Sequence, residues 1–104
     1  MRGDVYRLRA PRDAQDHEQR GPRYAVVVQS DAVLRSTVLV APTSHSARSS
    51  TVRPEIDING ITTRVVVEQT SAISTNRLGD FAGRLDAHEI TEIDEAIRIV
   101  FGLI

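Results

Sequence analysis

The 104-residue sequence contains no cysteine, no tryptophan and no lysine, and its only aromatic residues are two tyrosines and two phenylalanines. The lack of cysteine excludes a disulfide framework and a thiolate metal cluster. The fold must therefore depend on its hydrophobic core, or on a core that oligomerisation extends. Because disulfides belong mainly to oxidising compartments, their absence favours a cytoplasmic protein.

The sequence also lacks long hydrophobic runs. Apolar runs such as residues 25–28 are far shorter than the roughly 20 residues of a membrane-spanning helix. The N-terminus does not show the charged and then apolar pattern of a secretion signal. We therefore expect a protein that is neither exported nor embedded in a membrane. Its length predicts a single domain over residues 1–104.

All 13 cationic side chains are arginine, and they are unevenly distributed. The residues before Pro54 include nine arginines and five acids, a net charge of +4, whereas those from Pro54 onward include four arginines and nine acids, a net charge of −5. The overall charge of −1 argues against general binding of nucleic acid. The basic half still favours a local phosphate site, because the planar guanidinium binds phosphate in bidentate fashion. Genomic base composition is an alternative cause of this arginine bias.

Short β-branched or alternating runs predict five or six strands. The runs are residues 3–8, 24–29, 37–40, 52–58, 64–68 and 80–85. We expect Pro42 to end the third strand and Asn59-Gly60 to form a tight hairpin turn, since both residues tolerate positive φ. The polar segment 10–22 is predicted to be a long loop, 30–36 a turn or short helical connection, and 44–50 a second loop.

The C-terminal segment changes from a strand period to a helical one. Its apolar residues recur at helical spacing; they are Ile90, Ile93, Ile97, Val100 and Phe101. Asp86 and Glu89 have the spacing of a capping box at the helix start, and Gly102 is placed to end the helix. Several short strands followed by one helix predict a mainly β fold, a small barrel or half-barrel with a C-terminal α-helix.

The sequence lacks the signatures of metal, nucleotide and serine-hydrolase sites. Its three histidines do not have the spacing of metal ligands, so we expect no metal cofactor. A glycine-rich phosphate loop and a Gly-x-Ser-x-Gly elbow are both absent.

Two positions are candidates for a phosphate-binding site. Arg23 lies directly before a predicted buried strand, and Thr43-Ser44 lie near the end of the next strand. If these strands are neighbours, a guanidinium and a hydroxyl meet at one edge and bind a phosphodiester. The alternative is that Arg23 forms a surface ion pair and Thr43 caps a turn.

Ordered matches along nearly the whole chain resemble one family. The matching segments are RGDVY at 2–6, HEQ at 17–19, Arg23, AVVVQSD at 25–31, APTS at 41–44, EQ at 68–69, Ile73, RL at 77–78, IDEAI at 93–97 and GL at 102–103. Together they resemble the MazF/PemK-type toxins of toxin-antitoxin systems. Two positions depart from the family pattern: Tyr24 replaces the proline that commonly follows the catalytic arginine, and Ser74 replaces an aspartate.

The resemblance implies an SH3-like barrel of the MazF/PemK/CcdB type, a homodimer and a cognate antitoxin as partner. It also implies a sequence-specific, metal-independent endoribonuclease that needs no cofactor and cleaves single-stranded RNA, either mRNA or, alternatively, tRNA or rRNA. In such a reaction the 2′-hydroxyl attacks the adjacent phosphate. Because of the departures at Tyr24 and Ser74, the RNA sequence preference of the family cannot be assigned to this protein.

The resemblance also assigns candidate site residues. Arg23 matches the family's catalytic arginine and Thr43 its catalytic threonine, with Ser44 as the alternative hydroxyl because the preceding loop looks shortened. Glu18 matches the family's loop over the active site, and Glu18 or His17 is the candidate for proton transfer because arginine is a poor base at neutral pH. The residues implied to bind RNA are His17, Gln19, Arg20, Ser44, Gln69 and Arg77.

Two other functions are compatible with the same sequence. A toxin of this fold can poison DNA gyrase without cutting nucleic acid, in which case the C-terminal helix carries the contact. A noncatalytic RNA-binding adaptor barrel is the third possibility.

Overall fold

The computed structural model describes residues 1–9, 23–31 and 36–103. Seven strands and one α-helix make up this part of the chain. The strands are β1 (Asp4–Leu8), β2 (Tyr24–Val27), β3 (Thr37–Ser44), β4 (Glu55–Ile58), β5 (Ile61–Val65), β6 (Ser71–Ser74) and β7 (Leu78–Arg84). The helix is α1 (Ala87–Phe101), and two 3₁₀ turns lie at Val67–Gln69 and Thr75–Arg77.

The strands form one antiparallel half-barrel in the order β4-β5-β3-β2-β1-β7, with β6 pairing additionally with β3. The β4–β5 hairpin turns at Asn59 and Gly60, whose φ angles are 53° and 82°. The Asn59 side chain then donates a hydrogen bond to the Ala82 carbonyl of β7 at 3.3 Å. This bond links the β4–β5 turn to β7, the strand at the opposite end of the sheet order. The prediction of a mainly β half-barrel with a C-terminal helix, and that of the hairpin turn, are confirmed.

Strand β2 is buried along its whole length, as its run of apolar residues predicted. On one face, Val26 joins the main core with Val5 and Val65, against which Ile93 and Ala96 of α1 also pack. On the other face, the side chains of Ala25, Val27 and Val40 form a second, smaller cluster. The central strand is therefore held from both sides, which fixes the position of the residues at its ends.

The predicted start and end of α1 are also confirmed. The Asp86 carboxylate accepts a hydrogen bond from Glu89 N at 2.8 Å, and the Glu89 carboxylate accepts one from Asp86 N at 2.9 Å. This reciprocal pair is a capping box. At the other end, Gly102 adopts a left-handed φ of 69° that favours glycine. In the described part of the chain, no helix has the length and apolar character needed to cross a membrane.

The prediction that Pro42 ends its strand is wrong. Strand β3 continues to Ser44 because both of its edges are paired: Val40 to Pro42 pair with β2 on one edge, and on the other edge Thr43 and Ser44 pair with β5 beyond the end of β6. Proline lacks only the backbone N–H, and the Pro42 carbonyl still accepts a hydrogen bond from Val66 N at 2.8 Å. This extension carries Thr43 and Ser44 into the sheet.

Three further strand predictions need correction. The described residues contain seven strands instead of five or six, because β6, an exposed Ser-Ala-Ile-Ser segment, is defined only by its pairing with β3. Strand β4 starts at Glu55 and not at residue 52. Strand β5 ends at Val65, and the chain then turns into the 3₁₀ segment Val67–Gln69. The predicted loop at 10–22 lies outside the described residues.

Candidate functional site

The antiparallel register of β2 and β3 places the start of one strand beside the end of the other. Ala25 lies opposite Pro42, and Val26 lies opposite Ala41. Arg23 directly precedes β2, so it lies at the same edge of the sheet as Thr43 near the end of β3. The condition on which the phosphate site depended, that these two strands are neighbours, is therefore fulfilled.

A cavity of about 200 Å³ lies at this edge. Its walls are formed by Arg23, Thr43, Ser44, Ala47, Arg53, Val66 and Gln69. Sites for drug-sized ligands usually measure roughly 300–1,000 Å³. The cavity is thus sized for a phosphate and part of its sugar, and its walls carry two guanidinium groups and two hydroxyls.

The two hydroxyls of the cavity have different surroundings. Thr43 is only 5% exposed, and its Oγ1 donates a hydrogen bond of 3.4 Å to the Tyr24 carbonyl. Ser44 is half-buried, and its Oγ lies 3.3 Å from the Ser46 Oγ. Thr43 is the better fixed of the two, because it is held inside the sheet next to the core residue Tyr24. Both hydroxyls nevertheless line the cavity, so the choice between them stays a prediction.

The main chain of Arg23 is anchored by the half-barrel. Its carbonyl accepts a hydrogen bond from Leu8 N of β1 at 2.9 Å, and the following residue, Tyr24, is buried. The side chain itself is half-buried. This combination keeps the Cα of Arg23 in place while its guanidinium stays accessible from the cavity, as the binding of a charged ligand requires.

Arg53 lines the cavity too, although nothing in the sequence singled it out. Its Nε and Nη2 donate hydrogen bonds to Glu68 Oε2 at 2.8 and 2.6 Å, and its Nη1 donates to the Arg48 carbonyl at 3.4 Å. The hydrogen bond from Arg53 lowers the pKa of the Glu68 carboxyl, while partial burial acts in the opposite direction. Glu68 is therefore ionised at neutral pH and holds the guanidinium beside the cavity.

Gln69 reaches the same cavity from the 3₁₀ segment Val67–Gln69. The fully buried side chain of Val67 anchors this segment in the core. The Thr70 hydroxyl also donates a hydrogen bond to the Val67 carbonyl at 2.7 Å. Together with the bond between Val66 N and the Pro42 carbonyl, these contacts hold Gln69 next to the end of β3.

One other predicted site residue, Arg77, is described by the structure and does not line this cavity. Arg77 lies elsewhere: its Nε and Nη2 donate hydrogen bonds to the Arg9 carbonyl at 3.2 and 3.0 Å. Four more predicted residues lie outside the described residues, and these are His17, Glu18, Gln19 and Arg20. Within residues 1–9, 23–31 and 36–103, no three His, Cys, Asp or Glu side chains converge as metal ligands would.

Comparison with known proteins assigns the chain to a family. The sequence profile of PemK-like, MazF-like toxins of type II toxin-antitoxin systems matches residues 1–101. The chain belongs to this family. A Mycobacterium tuberculosis protein (strain ATCC 25618 / H37Rv), provisionally named as a toxin, is 38% identical over 104 residues, which cover 99% of this chain and 98% of the relative. The resemblance found in the sequence is thus confirmed.

Solved structures of MazF proteins share the fold. A mycobacterial endoribonuclease in complex with its cognate antitoxin superposes with a TM-score of 0.81 at 19% identity, covering 100% of this chain and 96% of that one. The M. tuberculosis toxin MazF-mt6 gives 0.76 at 22% identity, covering 95% and 96%. Deinococcus radiodurans MazF gives 0.76 at 18% identity, covering 97% and 94%. The predicted SH3-like barrel of the MazF type is therefore confirmed.

Proposed function

We propose that this MazF-family toxin is a sequence-specific endoribonuclease that cleaves single-stranded RNA in the cavity between Arg23 and Thr43. The observation that carries the proposal is the convergence of a guanidinium and a nearly buried hydroxyl on one phosphate-sized cavity. Solved proteins of the same fold include endoribonucleases, one of them bound to its cognate antitoxin. The reaction we infer needs no metal and takes place in the cytoplasm.

In the proposed reaction, the 2′-hydroxyl of the RNA attacks the adjacent phosphorus atom. The bond to the 5′-oxygen breaks and this oxygen takes up a proton from water, which leaves a 2′,3′-cyclic phosphate on one fragment and a 5′-hydroxyl on the other. Negative charge accumulates on the nonbridging oxygens, and the Arg23 guanidinium stabilises it with charge-assisted hydrogen bonds. A group fixed before the reaction does this without further reorganisation.

Thr43 supplies a hydrogen bond to the same phosphate. Its present bond to the Tyr24 carbonyl is 3.4 Å long, which is beyond the usual range of O–H···O bonds. Exchanging this weak bond for one to a phosphate oxygen therefore costs little. Ser44, half-buried at the same cavity, is the alternative donor.

Arg23 is not suited to accept the proton of the 2′-hydroxyl, because arginine has a pKa above about 12. We propose Glu18 for this step, with His17 as the alternative, since both precede Arg23 in the matched family segment. Contacts to the RNA on either side of the cleaved bond are proposed for Gln19, Arg20, Gln69 and Arg77.

We further propose that the protein is a homodimer and that a cognate antitoxin blocks the cavity. Apolar side chains support an additional protein contact, because they are exposed at the C-terminal end of α1 and beyond. These residues are Ile99, Phe101 and Leu103. Burying them against a second protein removes apolar surface from water that the half-barrel itself does not cover.

Cleavage of mixed-sequence single-stranded RNA in the presence of EDTA tests the proposed function. Wild type is expected to release fragments with a 2′,3′-cyclic phosphate, and Arg23→Ala is expected to release none. Arg98→Ala, which removes an exposed arginine on α1, is the matched control and retains activity.

Three outcomes contradict the proposal. Equal cleavage by wild type and Arg23→Ala removes the assigned site. Inhibition of DNA gyrase by a protein that leaves RNA intact supports the gyrase poison. Binding of RNA without cleavage supports the adaptor barrel.

A further inference from the structure

Arg53 lies between two cavities of different character. On one side it lines the cavity that contains Arg23 and Thr43. On the other side it lines a larger cleft of about 640 Å³ between the β4–β5 hairpin and α1. That cleft also contains three acidic side chains, which are Glu55, Glu92 and Glu95, and one further arginine, Arg64, which pairs with Glu55 at 3.5 Å. The acids outnumber this arginine and repel phosphate, so an anion that reaches Arg53 meets it from the side of Arg23.

The backbone of Arg53 is tied down at both polar atoms. Its N–H donates to the Ser50 carbonyl at 3.0 Å, and its carbonyl accepts a hydrogen bond from Arg64 Nη1 at 3.0 Å. These two bonds fix the backbone position of Arg53, although the segment from Ser50 to Pro54 contains no regular secondary structure.

Hydrogen bonds hold the guanidinium of Arg53 in place but use only some of its N–H donors. Of its five N–H donors, two point to Glu68 and one to the Arg48 carbonyl. Two donors, one on each terminal nitrogen, are left for a ligand. With 30% of the side chain exposed, the group is oriented and still accessible.

We propose that Arg53 is a second phosphate-binding residue of the RNA site, and that Glu68 positions it. The inference rests on the proposed function, because it concerns how the same RNA is held. Arg23 and Arg53 then bind the sugar-phosphate backbone together, Arg23 at the phosphate that reacts and Arg53 beside it. Glu68 does not touch the RNA; it keeps the Arg53 guanidinium turned toward the cavity.

The competing explanation is that Arg53 and Glu68 form only a structural ion pair. Such a pair would connect the segment before β4 with the 3₁₀ segment Val67–Gln69. The two explanations predict different effects on RNA binding. If the pair is a structural ion pair, loss of either charge damages the site in the same way. If Arg53 binds phosphate, loss of its positive charge weakens RNA binding, whereas loss of the negative charge of Glu68, with the hydrogen bond to Arg53 kept, does not.

Binding of 2′-O-methyl RNA of randomised sequence separates these explanations, because the methyl group blocks attack and leaves only binding to be measured. Arg53→Gln is expected to weaken binding about tenfold, since it removes a hydrogen-bonded charge from the phosphate. It should also lower the slope of log Kd against log salt by about 0.7, the value for one phosphate contact on a single strand.

Glu68→Gln provides the decisive comparison. Its amide oxygen still accepts from Arg53 while the negative charge is lost, so binding is expected to stay equal or become tighter, with an unchanged salt slope. Arg98→Gln, which changes net charge as Arg53→Gln does, is expected to bind like wild type. Thermal melting of each variant checks that it is folded.

The outcomes separate this inference from the proposed function. If Arg53→Gln and Glu68→Gln both weaken RNA binding to a similar degree, the pair is structural and the inference is wrong, even when wild type cleaves RNA and Arg23→Ala does not. Wild type that neither binds nor cleaves RNA contradicts both.

Discussion

Replacing Thr43 by valine should strongly lower the rate of RNA cleavage without unfolding the protein. Valine keeps the branched shape of the side chain and exchanges its hydroxyl for a methyl group. The hydroxyl contributes one hydrogen bond, to the Tyr24 carbonyl at 3.4 Å. A bond of that length contributes at the lower end of the usual range, about 0.5 kcal/mol. The site is nearly buried, and burying an additional methyl group contributes about 0.8 kcal/mol in the opposite direction.

These contributions nearly cancel, so Thr43→Val is expected to change the free energy of unfolding by less than about 1 kcal/mol. The effect on cleavage should be much larger. Removing one preorganised donor to a developing oxyanion typically lowers kcat by roughly 100- to 1,000-fold. Urea unfolding followed by circular dichroism measures the first quantity, and a fluorescent RNA cleavage assay under single-turnover conditions measures the second.

Ser44→Ala is the matched control, because it removes the neighbouring hydroxyl of the same cavity. It is expected to retain most of the cleavage activity. The assignment of Thr43 is wrong if Thr43→Val cleaves RNA at the wild-type rate. If only Ser44→Ala loses activity, Ser44 is the catalytic hydroxyl and the shortened loop has shifted the register by one residue.

Two further predictions concern stability. Asp86→Ala removes the side-chain half of the capping box of α1 and should cost about 1 kcal/mol, lowering Tm by roughly 4–8 °C; a melting temperature within error of wild type would show that the cap contributes nothing. Arg53 lowers the pKa of Glu68, so the pair's stabilisation is present above the unfolded pKa of about 4.3 and is lost as pH falls through the lower folded value. Wild type should therefore lose more stability than Glu68→Gln between about pH 6 and pH 3, and parallel urea midpoints across that range would contradict this coupling.

The parts of the fold that were predicted correctly are those encoded locally. The apolar residues from Tyr24 to Val27 indicate a strand buried on both faces, and Asp86, Glu89 and Gly102 mark the ends of α1 through contacts within a few residues. The neighbouring positions of Arg23 and Thr43 were predicted only on the condition that their two strands are neighbours, and the pairing of β2 with β3 fulfils that condition.

What the sequence did not predict depends on contacts between distant segments. Strand β6 has no strong strand pattern and exists because β3 pairs with it. Strand β3 passes through Pro42 because β5 pairs with it beyond the end of β6, on the edge opposite β2. The Arg53–Glu68 pair joins residues that are 15 positions apart, and it forms only when the chain after β5 folds back over the end of β3. No local signal identifies such a pair.

The most direct test of the central claim is the cleavage of single-stranded RNA by wild type and Arg23→Ala in EDTA, with the fragment ends identified by mass spectrometry. Wild type is expected to give fragments that carry 2′,3′-cyclic phosphate and 5′-hydroxyl ends, and folded Arg23→Ala is expected to leave the RNA intact. Intact RNA with wild type, or the same fragments from both proteins, would contradict the claim.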